Sequence, residues 1–549
     1  MPCSDCSPNF AALPKLNEFN PLSRLRFNQL LDLSEVIELK AIVSHAEKEL
    51  SDYSTAIARL HDPEMIIALE DERESLRRQV HLTQALLAPT PIQKLPPEIL
   101  SEIFMECGDC QRPRVSVSSK TCFVPALKFA SVCSYWRSVA VETAALWNDI
   151  RVIVMENYDS RHDLLIEKLL QFSGNSSLTI DILVNSSYTD RNTPVPSVLR
   201  MLCEHANRWQ SLSGSCDYGA VDILNTLSSI GRLDCLHTYI LDAPLDTSIA
   251  LVGRAPKLQT LTLRCLDGSS LENYTAITWD HITHFTVSSS SISDIVRSIA
   301  KMPILLSLKV WYPLAQDSTH NENPVRSVNA HSLGLHIGAE YEEQGMTQLL
   351  ELLTFPKLQS LSISCESRYA RKREGAVWSS NQLPSFIERS SAIITSFDLR
   401  NTWMGTDSLI ALLRSMPALT SLNVLEPPTQ SGSTRSSMLN DQFLSILHCH
   451  EDRPLLQRLT TLTLRGVWSS AFSIKLFVEV IHSRWRPTPL QFLNDTVACI
   501  RTVNLEIVDS LIAPNSVKLL VMLQGEGLDI SIKDQNGVVA INAAKETII

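Results

Sequence analysis

"LQTLTL", residues 258–263, places apolar residues at its first, fourth and sixth positions, so that Leu261 and Leu263 alternate with threonines. Alternation with a period of two is typical of a β-strand with one buried face. The same L-x-x-L-x-L unit recurs in the chain beyond residue 150, which predicts a repeat architecture. The further copies are "LHTYIL" (236–241), "ITHFTV" (282–287), "LLSLKV" (305–310), "LQSLSI" (358–363), "ITSFDL" (394–399), "LTSLNV" (419–424), "LTTLTL" (459–464) and a fainter one in "AHSLGLHI" (330–337).

The middle apolar residue of each copy gives a position that can be counted along the chain. From Tyr239 to Leu361 the intervals are 22, 24, 23, 25 and 28 residues. The later intervals, 36, 25, 40 and 41 residues up to Val503, predict repeats that carry inserted loops. The counted positions are Tyr239, Leu261, Phe285, Leu308, Leu333, Leu361, Phe397, Leu422, Leu462 and Val503, with Leu212, Leu178 and Ile150 as upstream continuations.

Helical stretches lie between the predicted strands. Examples are "DIVRSIAKM" before Pro303, "MTQLLELLTF" before Pro356 and "DSLIALLRSM" before Pro417. Proline ends each helix, and the next strand follows directly. A strand and a helix per unit, stacked with parallel strands, make a curved solenoid. The alternative is a doubly wound α/β sheet, which 17 glycines and the lack of a G-x-G-x-x-G motif disfavour.

The period resembles that of leucine-rich repeats, which is 20–29 residues. Leucine-rich repeats usually carry Asn or Cys three positions after the last strand leucine. Here those positions hold Leu266, Ser290, Glu366, Thr402, Pro427 and Val467. The resemblance is therefore to irregular, degenerate leucine-rich repeats. It implies an α+β repeat fold, with a solenoid over residues 150–533 and a C-terminal tail over 534–549.

Residues 30–88 show the 3,4-spaced apolar pattern of two coiled-coil-like helices, and residues 1–29 are expected to be a flexible N-terminus. The two helices meet at Asp62-Pro63, where Asp suits the N-cap and Pro the first helical position. The predicted seams are Val36, Leu39, Val43, Ala46, Leu50, Tyr53, Ile57 and Leu60, then Ile66, Leu69, Arg73, Leu76, Val80, Thr83 and Leu87. Such helices can fold back as a hairpin or pair with a second chain, so a homodimer through residues 36–87 stays open.

Three short motifs lie within residues 91–150. They are "LPPEILSEIF" (95–104), "ALKFASVCSYWRSVA" (126–140) and "LWNDI" (146–150). In this order and spacing they resemble the F-box motif, L-P-x-E-I-L followed by V-C-x-x-W-R and then L-W. The wider layout, with helices before the F-box and degenerate repeats after it, is similar to the large F-box families of mushroom-forming fungi.

The resemblance implies that the partner is the Skp adaptor of a cullin-RING ubiquitin ligase. A module of this size cannot cover its own apolar faces, which agrees with a need for a partner. Carried onto this chain, the adaptor-binding residues are Leu95, Pro96, Ile99, Leu100, Ile103, Val132, Cys133 and Trp136. Trp136 is the expected energetic hot spot. Phe104 and Leu127 are expected to pack inside the module, and residues 106–125 to bulge as a polar loop.

Composition excludes several function classes. The chain has 48 Lys plus Arg against 59 Asp plus Glu, a formal net charge of −11 and no basic stripe, so nucleic acid is not expected as a partner. The sequence contains no run of about 18 apolar residues without a charge, so it predicts no membrane span. We therefore expect a cytoplasmic or nuclear protein. Catalytic signatures such as H-E-x-x-H and G-x-S-x-G are missing.

These observations favour a non-catalytic substrate receptor that binds the Skp adaptor through the F-box and an unknown target protein through the repeats. The alternative is a repeat-based interaction scaffold, possibly a coiled-coil dimer, with no ligase association. An enzyme would need catalytic residues brought together across repeats in a way that the sequence hides. Target specificity is expected on the exposed strand face and in loops such as 426–440, which we expect to be solvated.

No cofactor is expected. The 13 cysteines, an odd number, are expected to be reduced and mostly buried. Two Cys-x-x-Cys pairs, Cys3/Cys6 and Cys107/Cys110, offer four thiolates that zinc accepts, although 100 residues separate the pairs. We favour unliganded thiols over a shared zinc site, and a solvated turn over a metal site at "HCHED" (448–452).

Overall fold

The structure is a computed structural model, and two compact units make up the chain. Unit 1 comprises residues 1–188 and 194–209, and unit 2 comprises residues 189–193 and 210–549. The residues that the structure describes are 12–26, 31–59, 62–87, 95–107, 115–118, 121–154, 161–184, 197–216, 227, 229–242, 245–264, 277–288, 290–313, 324–337, 342–365, 382–402, 404–427, 437–449, 455–467, 471–485, 497–508, 512, 518–534 and 537–538.

The described residues form α-helices, short 3-10 turns and strands of a mixed α/β protein. The helices are α1 Ala12–Phe19, α2 Pro21–Arg26, α3 Leu33–Arg59, α4 Pro63–Leu87, α5 Pro97–Glu106, α6 Pro125–Ala130, α7 Ser134–Glu142, α8 Arg161–Phe172, α9 Ser197–Glu204, α10 Leu245–Val252, α11 Ile292–Ala300, α12 Glu342–Leu352, α13 Gln382–Ser390, α14 Thr406–Arg414, α15 Asp441–Leu447, α16 Ile474–Trp485 and α17 Lys518–Gly525. The 3-10 turns are Ala144–Leu146, Ala206–Arg208 and Trp279–His281.

The strands are β1 Val115–Ser118, β2 Cys122–Phe123, β3 Asp149–Val154, β4 Leu178–Val184, β5 Trp209–Cys216, β6 Thr238–Asp242, β7 Thr260–Arg264, β8 His284–Ser288, β9 Ser307–Trp311, β10 Val325–Arg326, β11 Ser332–Ile337, β12 Leu353–Thr354, β13 Ser360–Cys365, β14 Ser396–Arg400, β15 Ser421–Leu425, β16 Thr461–Val467, β17 Thr502–Ile507, β18 Asp529–Asp534 and β19 Gly537–Val538. Most of their pairings are parallel.

Helices α3 and α4 of unit 1 fold back on each other as a hairpin. Their predicted seams supply a shared core in which Val43, Ala46, Tyr53, Leu76 and Val80 are buried. The Tyr53 hydroxyl donates a hydrogen bond of 3.1 Å to the Glu72 carboxylate and so links the two helices. The hairpin covers the apolar seam within one chain, which is the first of the two arrangements that the sequence left open.

The N-terminal stretch departs from the predicted flexible segment. Residues 12–26 form α1 and α2, and Ala12 and Leu16 lie in the core of the hairpin. The Glu49 carboxylate accepts hydrogen bonds from the Ala12 backbone N–H at 3.2 and 3.3 Å, at the start of α1. A carboxylate at this end satisfies a helix N–H that has no partner within the helix.

The polar loop predicted for residues 106–125 is also wrong in part, because a strand forms there. Strand β1 pairs parallel to β3, with Val115 opposite Ile150, and antiparallel to β2. Val117 is fully buried. Strand β4 pairs with β3 as predicted, but Ile180, not Leu178, lies opposite Ile150. The predicted domain boundary at 150 therefore falls inside β3, within unit 1.

The parallel strands of unit 2 follow one another in chain order, and the register of each pair matches the counted positions. Leu212 lies opposite Tyr239, Tyr239 opposite Leu261, and the alignment continues through Leu308 and Leu333 to Val503. The next residue in this row is Ile530 of β18, which follows Val503, the last of the counted positions. Among the described strands of unit 2 the order does not reverse, whereas a doubly wound sheet reverses at a switch point.

One face of this sheet packs under the helices of unit 2. Along β7, β8, β9, β11 and β13 to β18 the counted residue and the residue two positions later are buried, as Leu361 and Ile363 are in β13. The predicted C-terminal tail contributes to the same sheet, because β19 pairs antiparallel to β18. Strands β10 and β12 form a separate two-stranded pair.

Burial of the cysteines is mixed. Cys365 and Cys449 are buried, whereas Cys235 and Cys499, expected inside, are exposed. The free thiols include Cys107, Cys122, Cys133, Cys203, Cys235, Cys449 and Cys499. No helix in the described part of the chain is long and apolar enough to cross a membrane.

Candidate partner-binding surface

The Leu-Pro turn that begins α5 is held in place by a tyrosine from α7. Pro96 takes the N-cap position with φ −57° and ψ 151°, and Pro97 starts the helix, as expected for a residue without an N–H. The Tyr135 hydroxyl donates a hydrogen bond of 2.7 Å to the Leu95 carbonyl oxygen. Burial, the Glu98 carboxylate and the Cys133 thiol raise the pKa of Tyr135, so the hydroxyl keeps its proton.

The inner face of α5 packs against α6 and α7 through aromatic rings. Phe104 is buried, as predicted, and stacks on Phe129 at a centroid distance of 4.5 Å. Its ring also contacts Trp136 at 5.0 Å with a tilt of 57°. These contacts fix the Trp136 ring by a packed neighbour, which limits the rotamers that it can adopt.

Leu100 was predicted to bind the adaptor, but its burial corrects that prediction. It lies one turn before Phe104 on the same helical face and is fully buried, so it supports the module from inside. The reverse holds for Leu127, which was predicted to pack inside the module but is 49% exposed.

The outer faces of the module carry the remaining predicted residues. Ile99, on α5, is 49% exposed, and Val132, in the turn between α6 and α7, is 59% exposed. Pro96 is exposed as well. The half-exposed members of the predicted set are Leu95, Ile103, Cys133 and Trp136.

Cys133 has a local role besides the predicted contact. It occupies the N-cap position of α7, and its Sγ accepts a hydrogen bond from the Trp136 backbone N–H at 3.5 Å. Sulfur is a weak acceptor in a position where Ser, Thr, Asp or Asn is usual. The Val-Cys-x-x-Trp spacing therefore both starts α7 and orients the tryptophan.

The third motif, "LWNDI", is structural. Leu146 and Trp147 are buried, and the Trp147 Nε1–H donates to the Ala140 carbonyl oxygen at 2.7 Å. The same indole contacts the Phe172 ring of α8 at 5.0 Å. The motif therefore anchors the end of α7 to the start of β3.

Sequence reasoning missed two features of this module. Tyr135 lies between the motif residues, and its bond to Leu95 depends on α7 passing beside the turn, which no local pattern reveals. Phe123, 53% exposed, lies under the Lys128 ammonium group, which is 5.5 Å from the ring centroid. A lone aromatic after a cysteine gives no sequence signal of this cation–π contact.

Metal-binding chemistry is not supported by the described residues. Among them, no group of three or more His, Cys, Asp or Glu side chains is arranged to hold a metal ion. Cys107 is an exposed free thiol, while Cys3, Cys6 and Cys110 lie outside the described residues. His450, Glu451 and Asp452 of "HCHED" lie outside them too.

No protein-family profile matches the chain, and no curated protein matches it.

Proposed function

We propose that residues 91–150 act as an F-box that docks on the Skp adaptor of a cullin-RING ubiquitin ligase. Ile99 and Val132 carry the proposal, because they are exposed aliphatic residues at motif positions, Ile99 on α5 and Val132 in the turn between α6 and α7. The Tyr135 bond and the Phe104–Trp136 contact place the Leu-Pro turn and the Val-Cys-Trp segment side by side.

The exposed side chains supply enough free energy to matter in an interface. Covering a half-exposed aliphatic side chain contributes about 1 kcal/mol, and a partly exposed tryptophan contributes more. Removing one such contact at the centre of an interface commonly weakens binding about tenfold or more. A charge placed there also leaves an unpaired carboxylate at the interface, which adds a desolvation cost.

Affinity of the full-length chain for purified Skp adaptor, measured by calorimetry, tests the proposal. We expect Ile99→Asp and Val132→Asp each to weaken binding at least tenfold. The matched control is Leu164→Asp on α8, which replaces an aliphatic residue that is 71% exposed and outside the motif. Circular dichroism checks that each variant stays folded. Failure of the wild-type chain to bind, or equal losses in all three variants, would refute the F-box assignment.

We further propose that unit 2 is a degenerate leucine-rich-repeat solenoid that holds a target protein, while other subunits transfer ubiquitin. Support comes from the in-register parallel strands and from the helices that follow them at the counted period. Extended, regularly repeated strand faces suit protein binding more than catalysis. On this proposal the chain is a non-catalytic substrate receptor that works in the cytoplasm or nucleus.

The second candidate function is an interaction scaffold with no ligase association. It keeps the repeats as a binding surface and needs no adaptor. A coiled-coil dimer is the less favoured form of it, because the seam between α3 and α4 is closed within one chain. The exposed apolar residues of the two helices that could make such a contact include Leu33 and Ile37 on α3 and Met65 and Ile67 on α4. Adaptor binding, as measured above, separates the two functions.

A further inference from the structure

A polar cluster lies on the exposed face of five neighbouring strands in unit 2, β9, β11, β13, β14 and β15. Two rows of side chains cross the strands there, each fixed by the parallel register. The first row is Lys309, Gly334, Ser362, Asp398 and Asn423, and the second is Trp311, His336, Ser364 and Arg400. Successive positions along a strand point to opposite faces, so both rows point away from the buried leucines.

An aromatic platform occupies the second row. The Trp311 and His336 rings stack at a centroid distance of 4.0 Å with an angle of 23°. His336 Nδ1 lies 2.5 Å from the Ser364 hydroxyl. Burial and the positive charges of Lys309 and Arg400 lower the pKa of His336 to about 4. The imidazole is therefore neutral near pH 7 and does not repel the neighbouring Lys309 and Arg400 cations.

The only carboxylate in the two rows is already occupied. Arg400 binds Asp398 with two parallel contacts, Nε to Oδ1 at 2.9 Å and Nη2 to Oδ2 at 2.8 Å. Asn423 Nδ2 donates to the same Oδ1 at 2.7 Å. Arg400 stays exposed, and its Nη1 is not used by this pair.

Among the described residues, Lys309 is a cation without a counterion. It is exposed, and no carboxylate of the described residues forms an ion pair with it. Its stem lies over the next strand, since a Cβ added to Gly334 would meet Lys309 Cγ at 3.1 Å. The glycine therefore leaves room for an extended lysine that lies across the sheet face. Beside it, the Trp311 Nε1–H is shielded from solvent and has no acceptor among the described residues.

The charge of this face has the opposite sign to that of the chain. From β9 to β16 the charged residues of the two rows are Lys309, Arg400 and Arg465 against Asp398. The whole chain carries a formal net charge of −11. A local excess of positive charge on an acidic protein favours an acidic ligand and disfavours a second copy of the same chain.

We propose that this strand face binds an acidic peptide segment of the target protein, with carboxylates on Lys309 and Arg400 and apolar side chains on the Trp311–His336 platform. The proposal rests on the proposed function in one respect only, namely that the peptide belongs to the target protein. Lys309 and Arg400 lie three strands apart, about 14 Å across the sheet. An extended peptide rises about 3.3 Å per residue, so its two acidic residues would be roughly four or five positions apart.

Peptide selection on the immobilised full-length chain tests this. The probe is a pool of synthetic peptides with randomised neutral positions and two Glu residues at spacings from two to seven, together with the matching Gln and phosphoserine pools. Wild type is expected to retain Glu peptides with spacing four or five at least fivefold over the Gln pool, and less at raised salt. Lys309→Glu should abolish this enrichment. Lys533→Glu, the same change on exposed β18, should leave it within twofold.

Equal retention of the Glu and Gln pools, or enrichment that survives Lys309→Glu, would overturn the proposal. Selective retention of the phosphoserine pool alone would also overturn it, in favour of a phosphate ligand. The proposed F-box is tested separately, because Lys309→Glu leaves the Skp-binding module unchanged and peptide selection needs no adaptor. Loss of adaptor binding with intact peptide enrichment would refute only the F-box.

Discussion

Glu426, a buried carboxyl at the end of β15, makes the stability of this part of unit 2 depend on pH. Its side chain is 1% exposed and accepts hydrogen bonds from the Met438 and Leu439 backbone N–H groups at 2.6 and 2.9 Å. The Ser437 hydroxyl lies 2.8 and 2.9 Å from its two oxygens. The loop 426–440 was expected to be solvated, but its described ends are therefore tied together by a buried acid.

Burial raises the pKa of Glu426 from 4.5 to about 7, and the three hydrogen bonds offset only part of the effect. The folded protein holds this proton more tightly than the unfolded chain does. The acid therefore destabilises the folded state progressively as the pH rises from about 4.5 to about 7. A pKa difference of this size corresponds to a loss of about 3 kcal/mol above pH 7.

Glu426→Gln should remove this loss, because the amide reproduces the protonated acid. Its carbonyl oxygen can accept from the two backbone N–H groups, and its NH2 group can donate to the Ser437 hydroxyl. At pH 8 we expect amides in residues 437–447 to be protected from hydrogen exchange about a hundredfold more than in wild type. At pH 4.5 the two proteins should differ little.

Hydrogen exchange followed by mass spectrometry from pH 4.5 to pH 8, corrected for the intrinsic exchange rate, measures this. Glu426→Ala is the control for the hydrogen bonds alone, and should lower protection at every pH because it leaves the Met438 and Leu439 N–H groups without an acceptor. Lower protection of Glu426→Gln than of wild type at pH 8 would show that the carboxylate is charged and stabilising. That outcome would refute the reasoning.

Two further predictions concern single contacts. Tyr135→Phe removes the bond to the Leu95 carbonyl oxygen, so we expect adaptor affinity to fall severalfold with a melting temperature within a few degrees of wild type, as calorimetry and thermal denaturation would show; an unchanged affinity would mean that the turn needs no anchor. Gly466→Ala should lower the free energy of unfolding, measured by urea denaturation, by about 1–3 kcal/mol, because Gly466 has φ +71° and an added Cβ would lie 2.8 Å from the Glu426 carbonyl oxygen. Gly525→Ala, at a helix end with open space around it, should have little effect.

The strand register of unit 2 could be predicted because each repeat carries its own local signal. A residue such as Leu361 is buried on every copy of the strand, and a slip by one position would put it on the exposed face. A slip by two positions keeps the same face buried, so the pattern alone cannot detect it. In β4, Leu178, Ile180 and Ile182 are all buried. The pattern therefore places Leu178 opposite Ile150, whereas the structure places Ile180 there.

Features that depend on a distant contact could not be predicted. Helix α1 is too short to be stable alone, and it exists in the structure with Leu16 in the core of the hairpin and Glu49 at its first N–H. In α5 the apolar stripe is wide enough to include both Ile99 and Leu100. Only the position of Phe104 against the Phe129 and Trp136 rings decides that the Leu100 side faces inward.

The polar cluster of unit 2 stands between these two cases. Its members are far apart in the sequence, yet each lies one or three positions after a counted residue, as Lys309 and Trp311 do after Leu308. The register therefore predicts their alignment once the repeats are counted. It does not predict that Asp398 is already paired with Arg400, which leaves Lys309 and the Nη1 of Arg400 for a ligand. Chemistry on this face is decided by which neighbours satisfy one another, and that is a property of side-chain geometry rather than of the repeat.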